Sequence, residues 1–308
     1  MSRLAIVTYH YVRNLPETRF PRIRGLMTDD FRRQVDMLSS RYEMATWESA
    51  MAFVRGEYAP KRDMCYLTFD DGLKDHYSDV LPILDENSIS AGFYVITGCL
   101  IDGWVATVHK NHFLLAELEF EDLYARFVSL LGKIAPEVPL DPDAEAVAKV
   151  YRWDEPRVAN YKYMVNYGLP IELREQVLDA LFKEVLGDEV QFANELYVSW
   201  NQLMEMQDSG MSIGTHSHRH RSLSSLDLSH QEEDLKTSYE VLAAALPSAG
   251  APAYCYPYGK RASFSEESPD LVRRHGFSAA MTSIPEWNYR GADPYLLKRF
   301  DTNDVARM

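Results

Sequence analysis

The feature that most limits the fold of this chain is a recurrence of short, continuous apolar runs separated by amphipathic stretches. Residues 4–8, 64–69, 91–97, 211–215, 253–256, 277–282 and 296–300 lack the apolar/polar alternation of a half-exposed strand, and residues 42–46 form a weaker eighth run. Such runs suit strands covered on both faces. Between them, Phe31, Val35 and Leu38 recur at helical spacing behind Thr28, read as the cap, with Asp29 and Asp30 suited to the first turn. Residues 77–86 and 200–208 fit further helices, the second ended by Gly210. This alternation predicts an α/β protein with a parallel sheet, open or closed into a barrel.

One interval breaks the rhythm. Residues 100–196 hold no convincing strand and offer helical patterns at 120–131 and 171–186, separated by Pro136, Pro139 and Pro142, with 141–154 as a loop. The expected organisation is a discontinuous barrel, 1–99 and 197–308, interrupted by a helical insertion over 100–196.

The composition removes several classes of function. With 46% hydrophobic and 25% charged residues the chain has the make-up of a globular protein with a large core. A net charge of −14 repels phosphate backbones and anionic bilayers, so nucleic acid is not an expected partner. No apolar run reaches the roughly 18 residues of a membrane span. The start, Ser2-Arg3-Leu4-Ala5, lacks the segments of a secretion signal, which makes the expected location cytoplasmic. Cys65, Cys99 and Cys255, odd in number and far apart, argue for reduced thiols and against a disulfide framework or a cysteine zinc site. The oligomeric state has no signature in the sequence.

Two polar clusters stand at the ends of apolar runs. In Thr68-Phe69-Asp70-Asp71-Gly72, adjacent carboxylates point different ways, so one can bind a metal while the other faces substrate. Alone, an Asp-Asp-Gly is usually a turn. In Gly214-Thr215-His216-Ser217-His218-Arg219-His220, the imidazoles of His216 and His220 are four apart and suit two-point coordination of one ion. Nine histidines in 308 residues make about 0.3 such pairs expected by chance, so the spacing is informative only with its position. Strand C-termini of a parallel barrel converge on one rim, which would bring the clusters together. One carboxylate, two imidazoles and an open position form a catalytic rather than a structural site.

These residues resemble the first two motifs of the polysaccharide deacetylases, carbohydrate esterase family 4, and Tyr256-Pro257-Tyr258-Gly259 is similar to the third. The resemblance covers residues 1–99 and 197–308. It implies a distorted, TIM-like (β/α)7-type barrel and a divalent metal, commonly Zn2+, with Co2+, Mn2+, Ni2+ or Fe2+ as alternatives. It also implies Asp71, His216 and His220 as ligands, Asp70 as general base, and a backbone N–H around Tyr258 as oxyanion donor. Tyr256, Pro257, Tyr258 and Gly259 would line the substrate site. The chemistry is coherent, because a bound divalent ion makes water acidic near neutral pH and polarises the amide carbonyl.

The sequence departs from the family pattern twice. Cys255 occupies the place of an arginine that often steadies the base, and Arg299 is the candidate to replace it. The histidine often supplied as general acid near the C-terminal strand is absent from residues 296–302. First and last strands are neighbours in a closed barrel, so His10, after the first strand, is the candidate acid that protonates the leaving amine; its competing role is a substrate-binding or packed histidine. His218 is read as pointing away, His76 as capping or flanking a helix, and His230 and His275 as surface or packing residues. His109 and His112 begin the insertion within possible reach of the pocket. Trp104, Trp153, Tyr161, Tyr163 and Tyr167 are candidate sugar-stacking residues against a competing core role. Arg19, Arg22 and Arg24 form a basic patch that could hold a phosphate-bearing substrate, with Arg24 the binding candidate.

The expected function is metal-dependent N-deacetylation of an amino-sugar glycan, glycolipid precursor or nucleotide sugar, in surface polysaccharide or lipopolysaccharide biosynthesis. The alternatives are deformylation or hydrolysis of a non-sugar amide, and a catalytically degenerate glycan-binding barrel.

Overall fold

The structure, a computed structural model, describes residues 2–139, 145, 147, 155–247 and 250–308. Every expected apolar run contributes a strand: β1 (Leu4–Tyr9), β2 (Glu43–Met44), β3 (Met64–Asp71), β4 (Ala91–Val95), β5 (Ser212–Thr215), β6 (Tyr254–Cys255), β7 (Ala280–Met281) and β8 (Phe300–Asp301). All pairings between these strands are parallel, in the order β7-β6-β5-β4-β3-β1-β8, with β2 beside β3. Leu297 bridges to Met281 while Phe300 and Asp301 pair with Val7 and Thr8, so the last segment touches both edges of the curled sheet. This is the distorted (β/α)7-type barrel architecture.

The apolar runs are continuous because both faces of each strand are covered. On one face Leu4, Ile6, Met64, Tyr66 and Tyr94 fill the barrel interior with Cys255, Met281 and Leu297. On the other, Ala5, Val7, Cys65, Leu67 and Phe69 pack beneath Phe31, Val35 and Leu38 of helix α1 (Thr28–Arg41). Each buried leucine, isoleucine, valine, methionine or phenylalanine among them contributes about 1.5–3 kcal/mol. A Cβ at Gly92 would lie 2.6 Å from the hydroxyls of Tyr66 and Tyr94, and one at Gly214 2.6 Å from the Tyr94 ring. Glycine at these two positions lets two tyrosines occupy the interior.

Two local expectations are corrected. Thr28 does not cap α1; it is the first helical residue, and Met27 stands at the cap position without a side-chain bond. The helix expected over 77–86 begins as a wide π turn, His76–Val80, before α2 (Leu81–Glu86). The Leu81 N–H reaches back to the His76 carbonyl, and Pro82, which has no N–H, follows.

Two compact units are present. The barrel unit comprises Met1–Asn14, Arg24–Trp104 and Ala193–Met308; the helical unit comprises Leu15–Ile23 and Val105–Phe192. The helical unit thus includes Leu15–Ile23, which the sequence pattern assigns to the first barrel segment. It contains α3 (Thr107–Glu117), α4 (Phe120–Ile134), α5 (Pro156–Tyr163) and α6 (Ile171–Leu186). Edge-on contacts among Phe113, Phe182, Phe192 and Phe20 and a second group of Tyr161, Phe127 and Phe120 build its core. Most of the expected 141–154 loop, with Pro142 and Trp153, and the side chain of Tyr167 lie outside the described residues.

Candidate active site

Strand alternation decides which side chains meet at the barrel's C-terminal rim. Thr8 pairs with Thr68 in the β1–β3 register. Two residues further, His10 and Asp70 continue the rows that begin Ile6, Thr8 and Tyr66, Thr68, so they share the interior side. Asp71 would alternate outward, but its φ of 78° places it in the left-handed region, and this kink returns its carboxylate to the rim. Across β4, Asp71 is in line with Val95 and Val95 with Thr215, the residue before His216.

The result is a buried group of Asp71, His216 and His220, whose ligand atoms lie within 4.8 Å of one another. Asp71 Oδ1 is 3.7 Å from Nε2 of each histidine, and the two Nε2 atoms are 3.2 Å apart. Tetrahedral coordination at roughly 2.0–2.1 Å requires donor separations of about 3.3–3.4 Å, so the set fits a small divalent ion. His216 Nδ1 donates to the Cys255 carbonyl at 2.9 Å, which fixes the tautomer and leaves Nε2 as a lone-pair donor. This buried Asp-His-His group could hold a metal.

The backbone here is strained. Asp71, Ser217, His220 and Tyr258 have φ values of 78°, 71°, 52° and 62°, and among the described non-glycine residues only Ser88 shares this region. Each left-handed side-chain-bearing residue costs on the order of 1–3 kcal/mol and survives only where its surroundings over-determine it. The Tyr258 ring, exposed, lies 5.1 Å from the His220 ring. Its turn is held by Ser283, whose N–H donates to the Gly259 carbonyl at 2.9 Å and whose hydroxyl donates to the Tyr258 carbonyl. A Cβ at Gly259 would meet the Ser283 nitrogen at 2.5 Å, so glycine permits this approach.

Asp70 is clamped beside the metal-type group. Arg299 donates from both terminal nitrogens, to Oδ1 at 2.8 Å and Oδ2 at 2.7 Å, and from Nε to the Thr282 carbonyl at 2.9 Å. Both partners are 2% exposed. Burial by itself raises the Asp70 carboxyl, but the Arg299 guanidinium and then His216 override it and hold Asp70 well below the usual carboxylate range. The arginine that the sequence lacks at Cys255 is therefore supplied from just before β8.

His10 is exposed at the end of β1 and adds a smaller depression of the Asp70 carboxyl. Its carbonyl accepts a 2.9 Å bond from His76 Nε2. His76 is not a cap: it opens the π turn, is fully buried against the stacked rings of Phe69 and Phe93, and burial lowers its imidazole to about 4. Nearby, Arg13 pairs with Asp75 at 2.6 Å, and burial still pushes Asp75 up to about 6. Sequence reasoning missed these supports, because a histidine and an aspartate in an amphipathic stretch look like any solvated face.

The remaining candidates separate. Tyr256 is corrected from a substrate contact to a core residue: it is buried against Phe264 at 4.5 Å, and its hydroxyl donates to the Tyr295 carbonyl. Pro257 is buried and Tyr258 exposed. Arg24 is exposed and takes part in none of the hydrogen bonds or ion pairs described for this cluster. Arg22 binds the carbonyls of Ala116 and Glu117 and pairs with Glu119, and Arg19 lies over Phe20. Trp104 lies beneath Arg219, at 5.4 Å, rather than standing as an open platform. Tyr161 is core, with its hydroxyl on Asn111. His218 Nδ1 bonds the Thr97 hydroxyl at 2.9 Å, and His230 pairs with Asp227 at the surface. His109 is buried and His112 exposed, both in the helical unit.

Comparison with solved structures places this architecture among deacetylases. IcaB from Ammonifex degensii aligns at TM-score 0.60 and 18% identity, covering 100% of this chain and 95% of its own. The Streptococcus pyogenes deacetylase PplD, in complex with acetate, aligns at 0.57 and 16%, covering 97% and 92%. The BpsB deacetylase domain from Bordetella bronchiseptica aligns at 0.55 and 15%, covering 97% and 95%. At these identities the likeness is one of fold. Among curated proteins, no sequence matches significantly. The sequence profile of the polysaccharide deacetylase family matches residues 57–123 and 170–280, more than half of the chain. With Asp70, Asp71, His216 and Tyr254–Ala280 inside the matched segments, the chain belongs to the polysaccharide deacetylase family and is a hydrolase of carbon–nitrogen amide bonds.

Proposed function

We propose that the chain is a metal-dependent N-deacetylase that removes the acetyl group from an amino sugar in a glycan, glycolipid precursor or nucleotide sugar of surface polysaccharide synthesis. The observation that carries this reading is the juxtaposition of a clamped, ionised Asp70 with the buried Asp71-His216-His220 group. Asp71, His216 and His220 are the proposed ligands, and their two imidazoles and one carboxylate suit Zn2+. When bound, such an ion supplies Lewis acidity at the carbonyl and makes water acidic near neutral pH. Asp70, held toward its carboxylate form by Arg299, takes the proton of the attacking water and is oriented for it by the same guanidinium. His10, on the same side of the rim, protonates the leaving amine. A backbone N–H at the Tyr258 turn faces the developing oxyanion, and the exposed Tyr258 ring packs on the sugar. Acetate in the PplD structure supports acetyl as the acyl group. A cytoplasmic location belongs to the same proposal, and rests on the odd number and wide spacing of the cysteines in the sequence.

The test is release of acetate from a panel of N-acetyl amino sugars and their oligomers, with N-formyl analogues as comparators and metal content measured in parallel. Asp70→Asn and His10→Ala should each lower kcat by about 10²–10⁴-fold with metal content retained. Formate release alone would replace the acyl assignment. Near-normal turnover in His10→Ala would remove its role as acid.

A further inference from the structure

The loop that carries two of the proposed ligands is held from a helix that no motif includes. Asp234 lies on α7 (Leu228–Ala245) and is buried. Its Oδ1 accepts from the His218 N–H at 3.1 Å and its Oδ2 from the Arg219 N–H at 2.9 Å. The next N–H, of His220, donates to Ser217 Oγ at 2.9 Å, so three successive loop amides have acceptors. Consecutive N–H groups converging on one carboxylate form an anion-binding nest, here filled from within the chain.

We propose that Asp234 is a positioning residue for the metal centre: its carboxylate fixes the turn that aims His220 toward His216 and Asp71. The inference rests on the reading of those three residues as ligands. The turn is bracketed by the left-handed residues Ser217 and His220, which relax unless held. On its other side the loop is held by the Thr97 hydroxyl on His218 Nδ1, by the Arg219–Asp102 ion pair and by main-chain bonds. Thr97 and Gly98 donate to the Ser217 and His218 carbonyls at 3.2 and 3.0 Å, and a Cβ at Gly98 would lie 2.5 Å from the latter oxygen. Asp234 is the carboxylate that accepts from the loop's own amides, those of His218 and Arg219. Replacing it by asparagine keeps the shape but sets an amide NH2 against one of the two loop N–H groups. The released turn lets His220 swing off the ligand position, while the buried Nδ1 bond of His216 is untouched. Outer partners of metal ligands typically change affinity by about 10–100-fold.

The experiment measures the zinc dissociation constant of the full chain by competition with a chromophoric chelator, for wild type, Asp234→Asn and Glu233→Gln, an exposed neighbour on the same helix. Asp234→Asn should bind zinc about 10–100-fold more weakly and recover turnover at saturating zinc with KM unchanged, while Glu233→Gln matches wild type. Asp234→Asn within about threefold of wild type overturns the proposal. Wild type that binds no zinc overturns the ligand reading itself, and this inference with it. If Asp234→Asn does not fold, amide exchange in the metal-free wild type decides. His218 and Arg219 exchanging as slowly as β5 supports the clamp, and exchange as fast as an exposed loop refutes it.

Discussion

The barrel unit and the helical unit each bury a cation against carboxylates, and they do so for different ends. Arg299, 2% exposed, forks onto an equally buried Asp70. Lys110, fully buried, reaches Asp179 at 2.5 Å and Glu189 at 2.6 Å, whose side chains are 48% and 30% exposed. In the first pair neither charge sees water, so each depends on the other, and the pair fixes the ionisation of a group at the rim. In the second the carboxylates stay hydrated and the ammonium merely pins α3 to α6 and to Glu189. A planar guanidinium gives two parallel bonds and holds a geometry; an ammonium acts as a point charge and does not.

The comparison can be broken first at Arg299. Arg299→Met should cost about 3–5 kcal/mol of stability, because it strands a buried carboxylate, and should abolish turnover, because burial then raises the Asp70 carboxyl without the guanidinium, its main opponent. Chemical denaturation and acetate release check both; a stable, active variant would dissolve the distinction.

A smaller effect sharpens it through pH. His76 titrates near 4 in the folded chain against an ordinary histidine value of 6.5, so unfolding takes up a proton between these values. The stability it allows is complete above pH 6.5 and falls by roughly 3 kcal/mol as pH drops to 4. Asp75, raised from 3.8 to about 6, works in the opposite direction over much of that window. The difference in stability between wild type and His76→Gln, measured from pH 7 to 4, isolates the histidine. A difference independent of pH would show that His76 is not held neutral beneath His10.

The smallest effect is expected in the helical unit. Lys110→Met should change stability by about 1 kcal/mol, since its half-hydrated carboxylates return to water at little cost, and kcat should not move. Lost turnover at retained stability would show that Lys110 is more than a staple.

Much of the site was legible in the chain because strand ends in a parallel barrel share one rim. Thr68–Gly72 and His216–His220 needed only their position after apolar runs to be brought together. Arg299 was reachable through what Cys255 lacked, and the place of His10 at the rim through the adjacency of first and last strands, seen in the pairing of β1 with β8; its role as acid is a proposal. Tyr256 misled because it stands in the third motif, yet alternation along β6 turns its ring into the core beside Phe264. Asp234 and His76 left no trace, since a single polar residue in an amphipathic helix looks the same whether it caps a loop or meets water.

The sequence by itself determined the strands, their parallel arrangement and the two motifs, because apolar runs covered on both faces and residues at run ends are local properties. The tertiary structure alone decided the left-handed turns at Asp71, Ser217, His220 and Tyr258, the fork of Arg299 on Asp70 and the bonds of Asp234 to the His218 and Arg219 amides. Each of these depends on groups far apart in the chain meeting within hydrogen-bond distance, and no local pattern encodes such a meeting.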